Sequence, residues 1–198
     1  MKFNVKSLSL LKKRDGTGDF IFPIYMILFC VMLFSYCYHD QILYYTKINV
    51  EDSIAAATLA SACINLYDYG DFDNMSYEVI NSSYDLFEKS FKENMKLDNN
   101  LMPIQNSFNA TLIVQPIEIL EFSYYCIRDG VVYKTTKNGN VNVEKGFVGQ
   151  ATTPNGNVIS QTTIYVKILL QIQNPYTKEL IPVTKDFSVD IVENESSN

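Results

Sequence analysis

Phe20–Tyr38 reads FIFPIYMILFCVMLFSYCY, nineteen residues without one Asp, Glu, Lys or Arg. As a helix rising 1.5 Å per residue it is roughly 28 Å long, close to the hydrocarbon thickness of a bilayer. The stretch just before it, Lys12–Asp19, reads KKRDGTGD. A basic cluster ahead of an apolar helix favours the cytoplasmic side. The expected protein is therefore single-pass in the cell membrane. Its N-terminus is cytoplasmic, and everything after about His39 is extracytoplasmic. The lipid bilayer is its first expected partner.

A cleaved signal peptide also begins with a basic region and an apolar run. This run is longer than the usual signal core. Ser35-Tyr36-Cys37-Tyr38 offers no small-x-small cleavage site, and Ala60-Ser61-Ala62 begins 22 residues after Tyr38. The span is expected to be retained.

Charge divides at the same place. Residues 1–39 carry a net +3 and residues 40–198 a net −9, which make the −6 of the whole chain. An acidic outer part lacks the basic footprint that nucleic acid requires. No nucleic-acid partner is expected.

Outward from the span, Asp40–Asp68 contains neither Gly nor Pro. One helix is expected from about residue 19 to residue 68. Pro23 is placed in its first turn, where a missing N–H costs little, and Asp19 at or near its N-cap. Ile48, Asp52, Ala55, Leu59, Ala62 and Leu66 fall near one face, widened by Ile54, Ala57, Cys63 and Ile64. Ser53–Ala62 reads SIAAATLASA. Small residues admit a close neighbour, so Ala56, Ala60 and Cys63 are helix-packing candidates.

A second helix is expected over Ser76–Met95, where Ile80, Tyr84, Phe87, Phe91 and Met95 recur at helical spacing. From about Ala110 the period changes. Residues 111–128 read as extended, broken at Pro116. Arg128-Asp129-Gly130 is a hairpin signal before Val131-Val132-Tyr133. Lys137–Asn140 and Thr153–Gly156 are further turns, the first followed by a strand at Val141–Val143. Ile164, Val166, Ile168, Leu170 and Ile172 then alternate with Thr163, Tyr165, Lys167, Leu169 and Gln171. After a turn at Asn174–Thr177, Ile181, Val183, Phe187, Val189 and Ile191 do the same. The pair predicts a long antiparallel hairpin with one buried face, and Pro182 predicts an edge strand or a bulge.

The expected fold class is α+β. A long N-terminal transmembrane helix continues into a small external domain with a second helix and an antiparallel β-sheet. The expected segments are a basic leader (1–19), a transmembrane segment (20–39), an extracytoplasmic helical region (40–108), an antiparallel β domain (109–193) and a disordered tail (194–198).

Chemistry-bearing groups are sparse. The single histidine, His39, sits at the membrane edge. There is no CxxC, no Gly-rich phosphate loop and no GxSxG. Glu118 and Glu121, three apart in a strand region, are expected on different faces. Asp68, Asp71 and Asp73 lack the alternating pattern of a calcium loop and are read as solvated helix-ending acids. No enzyme, catalytic residue, metal or cofactor is expected. Cys30 and Cys37 lie seven apart on one face of the span, as small apolar residues. Cys63 and Cys126 could pair as one disulfide, although no spacing marks a framework. The Asn-x-Ser/Thr triplets at Asn74, Asn81, Asn109 and Asn194 carry little weight. Tyr124, Tyr125 and Tyr133 are read as cross-strand packing before a binding face.

A long helix, half in lipid and half packed on a small antiparallel sheet, resembles the type IV pilin architecture. The N-terminus is most similar to the TadE-like minor pilins (pseudopilins) of tight-adherence pili. The matching residues are Lys12, Lys13 and Arg14, then Gly16 or Gly18, then the acid-aromatic pair Asp19-Phe20, then Pro23. Gly16, Gly18, Asp19, Phe20 and Pro23 are thus the leader and assembly candidates, over about residues 12–45. The resemblance implies a subunit of a pilus or related secretion filament. It implies other pilin subunits, the pilus assembly machinery and a prepilin peptidase as partners. Asp19 would then pair with the N-terminal amine of a neighbouring subunit, since a carboxylate is costly in lipid unless paired. The alternative role for Asp19 is a helix cap at the membrane surface. The register departs from the family's. If Asp19 is the family's acid, five residues after the cleaved bond, the residue just before that bond is Arg14 and not the family's Gly. If cleavage follows Gly18, Pro23 stands where the acid belongs. The alternative class is a membrane-anchored surface protein with a β-rich, adhesin-like binding domain.

Overall fold

The computed structural model describes residues 17–62, 77–137 and 141–191. The chain divides into two compact units, Met1–Tyr44 and Tyr45–Asn198. Helix α1 spans Thr17–Ala62. The expected extension to residue 68 lies outside the described residues.

In the second unit the fold is α+β. Helix α2 covers Tyr77–Met95. A short 3-10 turn at Phe108–Thr111 follows. Five strands come next: β1 Glu118–Arg128, β2 Val131–Thr136, β3 Val141–Phe147, β4 Thr163–Gln173 and β5 Leu180–Asp190. They form one curled sheet in the order β3-β2-β1-β4-β5, and every pairing is antiparallel. β5 lies at an edge, which accommodates Pro182 opposite Gln171.

Turn chemistry sets the hairpins. Asp129 and Gly130 both have positive φ (49° and 75°), the backbone a two-residue primed turn demands, and Arg128 pairs with Val131 across it. Asn174 Oδ1 accepts the amides of Tyr176 and Thr177 at 2.9 and 3.2 Å and closes the β4–β5 connection.

The main core lies between the helices and one sheet face. The helical stripe Ile80, Tyr84, Phe87, Phe91 and Met95 is buried, as its spacing predicts. It meets Phe122, Tyr124 and Cys126 of β1 and Ile164, Val166, Ile168 and Leu170 of β4. Phe87 stacks on Phe91 with centroids 5.6 Å apart and tilts against Phe122 at 5.5 Å. α1 adds Val50, Ile54 and Ala57 to this cluster.

Four expectations are corrected. The domain-facing side of α1 carries Thr46, Val50, Ser53, Ile54, Ala57, Thr58 and Ser61, whereas Asp52 and Leu59 of the expected face are exposed. Both faces are rich in small and apolar residues, so composition did not discriminate between them. The buried hydroxyls are satisfied locally: Thr58 Oγ1 donates to Ile54 O at 2.7 Å and Ser61 Oγ to Thr58 O at 2.6 Å. Second, β4 buries both faces near its start. Thr163 and Tyr165 are as enclosed as Ile164 and Val166, because Ile159 and Ala151 from the preceding connection cover the outer face beside Tyr125 and Val132. Third, Ile181 is exposed. The partly buried residues of β5 on the main core are Val183, Phe187 and Val189, and Ile191 follows them. Fourth, a register shift between Ile119 and Glu121 inserts Leu120 as a bulge. Ile119 and Phe122 both pack toward the helices, so Glu118 and Glu121 alternate to the same outer face rather than to different ones.

Thr46 Oγ1 is fully buried and has no hydrogen-bond partner among the described residues. An orphaned buried hydroxyl is a liability that an apolar residue of the same shape removes. Thr46→Val is expected to stabilise the domain by about 1 kcal/mol, read as a higher midpoint in thermal unfolding. A lower midpoint would mean that the hydroxyl is satisfied in solution.

Candidate functional site

The feature most in need of a function is the first part of α1. From Ile21 to Tyr38 every large apolar side chain is exposed, up to 75 % for Phe34. Among the described residues, α1 is the one helix long and apolar enough to cross a membrane. An apolar surface of this length does not persist in water, and lipid or other helices must cover it.

The leader and assembly candidates distribute as follows. Gly16 lies outside the described residues. Gly18, Asp19 and Phe20 fall in the first turn of α1. The described part of α1 begins at Thr17, with Asp19 its third residue, and the N-cap lies outside the described residues. Pro23 is likewise the seventh helical residue and not in the first turn. There its ring removes the bond that the carbonyl of Asp19 would accept and crowds that carbonyl. The helix therefore starts earlier than the apolar run, because Thr17, Gly18 and Asp19 extend it toward the basic cluster.

The packing candidates behave differently from one another. Ala57, one residue on from Ala56, is fully buried, whereas Ala56 is exposed and Ala60 is half-buried. At 100° per residue Ala56 turns away from the described residues of the domain. Cys63 lies outside the described residues, and with it the Cys63–Cys126 pairing; Cys126 is buried on β1. Asp68, Asp71 and Asp73 lie outside as well. No group of three or more metal-ligating side chains occurs among the described residues.

Three polar ties, none legible in the sequence, attach the second part of α1 to its domain. The Tyr124 hydroxyl donates to Ser83 Oγ, and Ser83 Oγ donates to the carbonyl of Ser61, joining β1, α2 and α1 inside the core. Burial pushes the Tyr124 hydroxyl's pKa up, so it stays a donor. Asn109 is buried. Its amide donates to Met95 O at 2.9 Å at the end of α2, and its Oδ1 accepts from Asn49 Nδ2 at 2.9 Å. A residue read as part of an Asn-x-Thr triplet is thus an internal strut. Lys185 of β5 pairs with Glu51 of α1, and its hydrogen bond to Glu51 outweighs burial and holds that carboxyl below its ordinary value.

On the outer sheet face Glu121 Oε1 accepts from Lys134 Nζ at 2.8 Å and from Ser123 Oγ at 2.7 Å. Burial pushes the Glu121 carboxyl up, but these bonds and the charges of Lys134 and Lys167 outweigh it and leave it below 4.5. A carboxylate held low stabilises the fold above its ordinary pKa, and that contribution disappears as pH falls through the folded value. Acidification below pH 4.5 is therefore expected to destabilise the domain. Glu121→Gln should flatten part of that slope, by at most about 1 kcal/mol for a pair this close to solvent. Chemical denaturation at a series of acid pH values reads it, and an unchanged slope would remove Glu121 from the account. Tyr124 and Tyr125 are buried on opposite sheet faces and offer no binding surface.

No family model matches the chain, and neither a curated protein nor a solved structure does.

Proposed function

We propose that the protein is a non-enzymatic, single-pass membrane subunit. In this reading it acts as a minor pilin or pseudopilin in a tight-adherence type IV pilus or a related secretion filament. The observation that carries the reading is α1 itself. One helix supplies an exposed apolar stretch long enough for a bilayer and, from Tyr45 onward, residues at the centre of an α+β core. A subunit of this design waits in the membrane and later exchanges lipid contacts for helix contacts. The exposed Ala56 and the half-buried Ala60 leave a narrow surface for a neighbouring helix. Asp19 in the first turn would be the charged group that sets register between subunits.

The test is the intact mass of the protein purified from membranes of a host that carries its own pilus machinery. A loss placing the new N-terminus between Gly16 and Phe20 is the expected result. An unprocessed N-terminus in the membrane would defeat the pilin reading. It would favour the second reading, a membrane-anchored surface protein with a β-rich binding domain, to which the departure at Arg14 already points.

A further inference from the structure

We propose that Asn155 is a site of spontaneous deamidation whose rate is set by a latch between the connection preceding β4 and the edge strand β5. The site stands apart from the membrane and pilus reading. Asn155-Gly156 and Asn138-Gly139 are the two asparagine–glycine pairs of the chain, and the second lies outside the described residues. An asparagine amide is thermally labile, most so before glycine, which puts no Cβ in the path of attack.

The step is intramolecular. The Gly156 nitrogen attacks Asn155 Cγ. An N–Cγ bond forms, the Cγ–Nδ2 bond breaks, and Nδ2 leaves as ammonia with the amide proton of Gly156. Water, the one co-reactant, then opens the cyclic imide to aspartate or isoaspartate.

The fold exposes Asn155 to water but holds its reacting atoms apart. Asn155 is exposed. It sits in a three-residue hairpin loop closed by Thr153 N donating to Asn157 O at 2.9 Å, with Gly156 at φ 87° in the position such loops reserve for glycine. The attacking nitrogen is occupied, since Gly156 N donates to Thr153 O at 2.8 Å. The side chain under attack is held through both its polar atoms. Asn155 Oδ1 accepts from Thr153 Oγ1, and Nδ2 donates to Ser188 Oγ at 3.2 Å. Asn157 Nδ2 donates to the same hydroxyl at 2.6 Å, so two amides of the loop close on one serine of β5. For Cγ to reach the Gly156 nitrogen, the side chain must leave Ser188 and the nitrogen must leave Thr153.

The latch bears on packing. Gly149 N donates to Ile159 O at 3.0 Å and Ile159 N to Ala151 O at 2.9 Å, which carries Ile159 and Ala151 over Tyr125, Val132 and Tyr165. Isoaspartate adds one main-chain carbon inside the three-residue loop. Aspartate replaces the donor to Ser188 with a carboxylate, beside Asp186 and Asp190, which flank Ser188 on the same face of β5. Either product loosens the cover over this second core.

The full chain in mild detergent would be incubated at mildly alkaline pH, with and without urea, and amide loss at each asparagine read by peptide mass mapping. Asn157, which precedes the β-branched Val158, is the internal control. In urea, Asn155 should deamidate severalfold faster than Asn157 and severalfold faster than Asn155 of the folded chain. Ser188→Ala, shown to be folded by circular dichroism, should raise the folded rate severalfold and leave the rate in urea unchanged. Ser188→Thr, which keeps the hydroxyl, should behave as the unsubstituted chain. A folded rate at Asn155 equal to that in urea would overturn the protection. An unchanged folded rate in Ser188→Ala would remove Ser188 as the latch. If Asn155 in urea is no faster than Asn157, the site itself is wrong.

Discussion

Phe87→Ala is expected to destabilise the external domain by about 3–5 kcal/mol, enough to leave a marginal domain largely unfolded. Phe87 is fully buried, stacks on Phe91 and tilts against Phe122, so truncation opens a cavity where α2 meets β1. The surrounding groups cannot collapse into it, because Tyr124 is held by Ser83 and α1 lies over the same cluster. The neighbouring substitution Leu86→Ala supplies the contrast. Leu86 is 43 % exposed, and its removal should change stability by no more than about 0.5 kcal/mol. Denaturant unfolding of the full chain in a mild detergent, followed by near-ultraviolet circular dichroism of the tyrosines, distinguishes the two. Similar losses for both would mean that α2 is not packed by the face assigned to it.

The second large effect concerns the span. Leu28→Arg combined with Met32→Arg places two guanidinium groups one helical turn apart at the middle of the apolar stretch. Both positions are exposed in α1, at 54 and 71 %. Each charge costs about 2.5–3.5 kcal/mol at the centre of a membrane helix. The pair costs about 5–7 kcal/mol on the same scale. The double variant should leave the carbonate-resistant membrane fraction, whereas Asp40→Arg at the edge should remain in it. A double variant that still resists carbonate would mean that these residues are not the anchor.

Both predictions rest on parts of the fold that local sequence made plain. The apolar run from Phe20 to Tyr38 needs only its length and lack of charge to be recognised. The stripe Ile80, Tyr84, Phe87, Phe91 and Met95 shows its helix by period, and Asp129-Gly130 shows its hairpin by the φ values those residues tolerate. The candidate site was less legible. Gly18, Asp19, Phe20 and Pro23 were found as a pattern, but the helix is already formed at Thr17, which puts Pro23 beyond its first turn.

What the sequence by itself determined was therefore local: the membrane-length apolar helix, the amphipathic second helix, the turns and the alternating strands. Only the tertiary structure decided which face of α1 meets the domain, that Leu120 bulges and turns Glu118 and Glu121 to one side, and that β4 is buried on both faces near its start. It also decided that Asn109, Tyr124 and Lys185 tie α1 to its domain. These features depend on pairs 60 residues apart for Asn49 and Asn109, 41 for Ser83 and Tyr124, and 134 for Glu51 and Lys185. Period and turn propensity act over a few residues, whereas a buried polar group finds its partner only after the chain has folded back on itself.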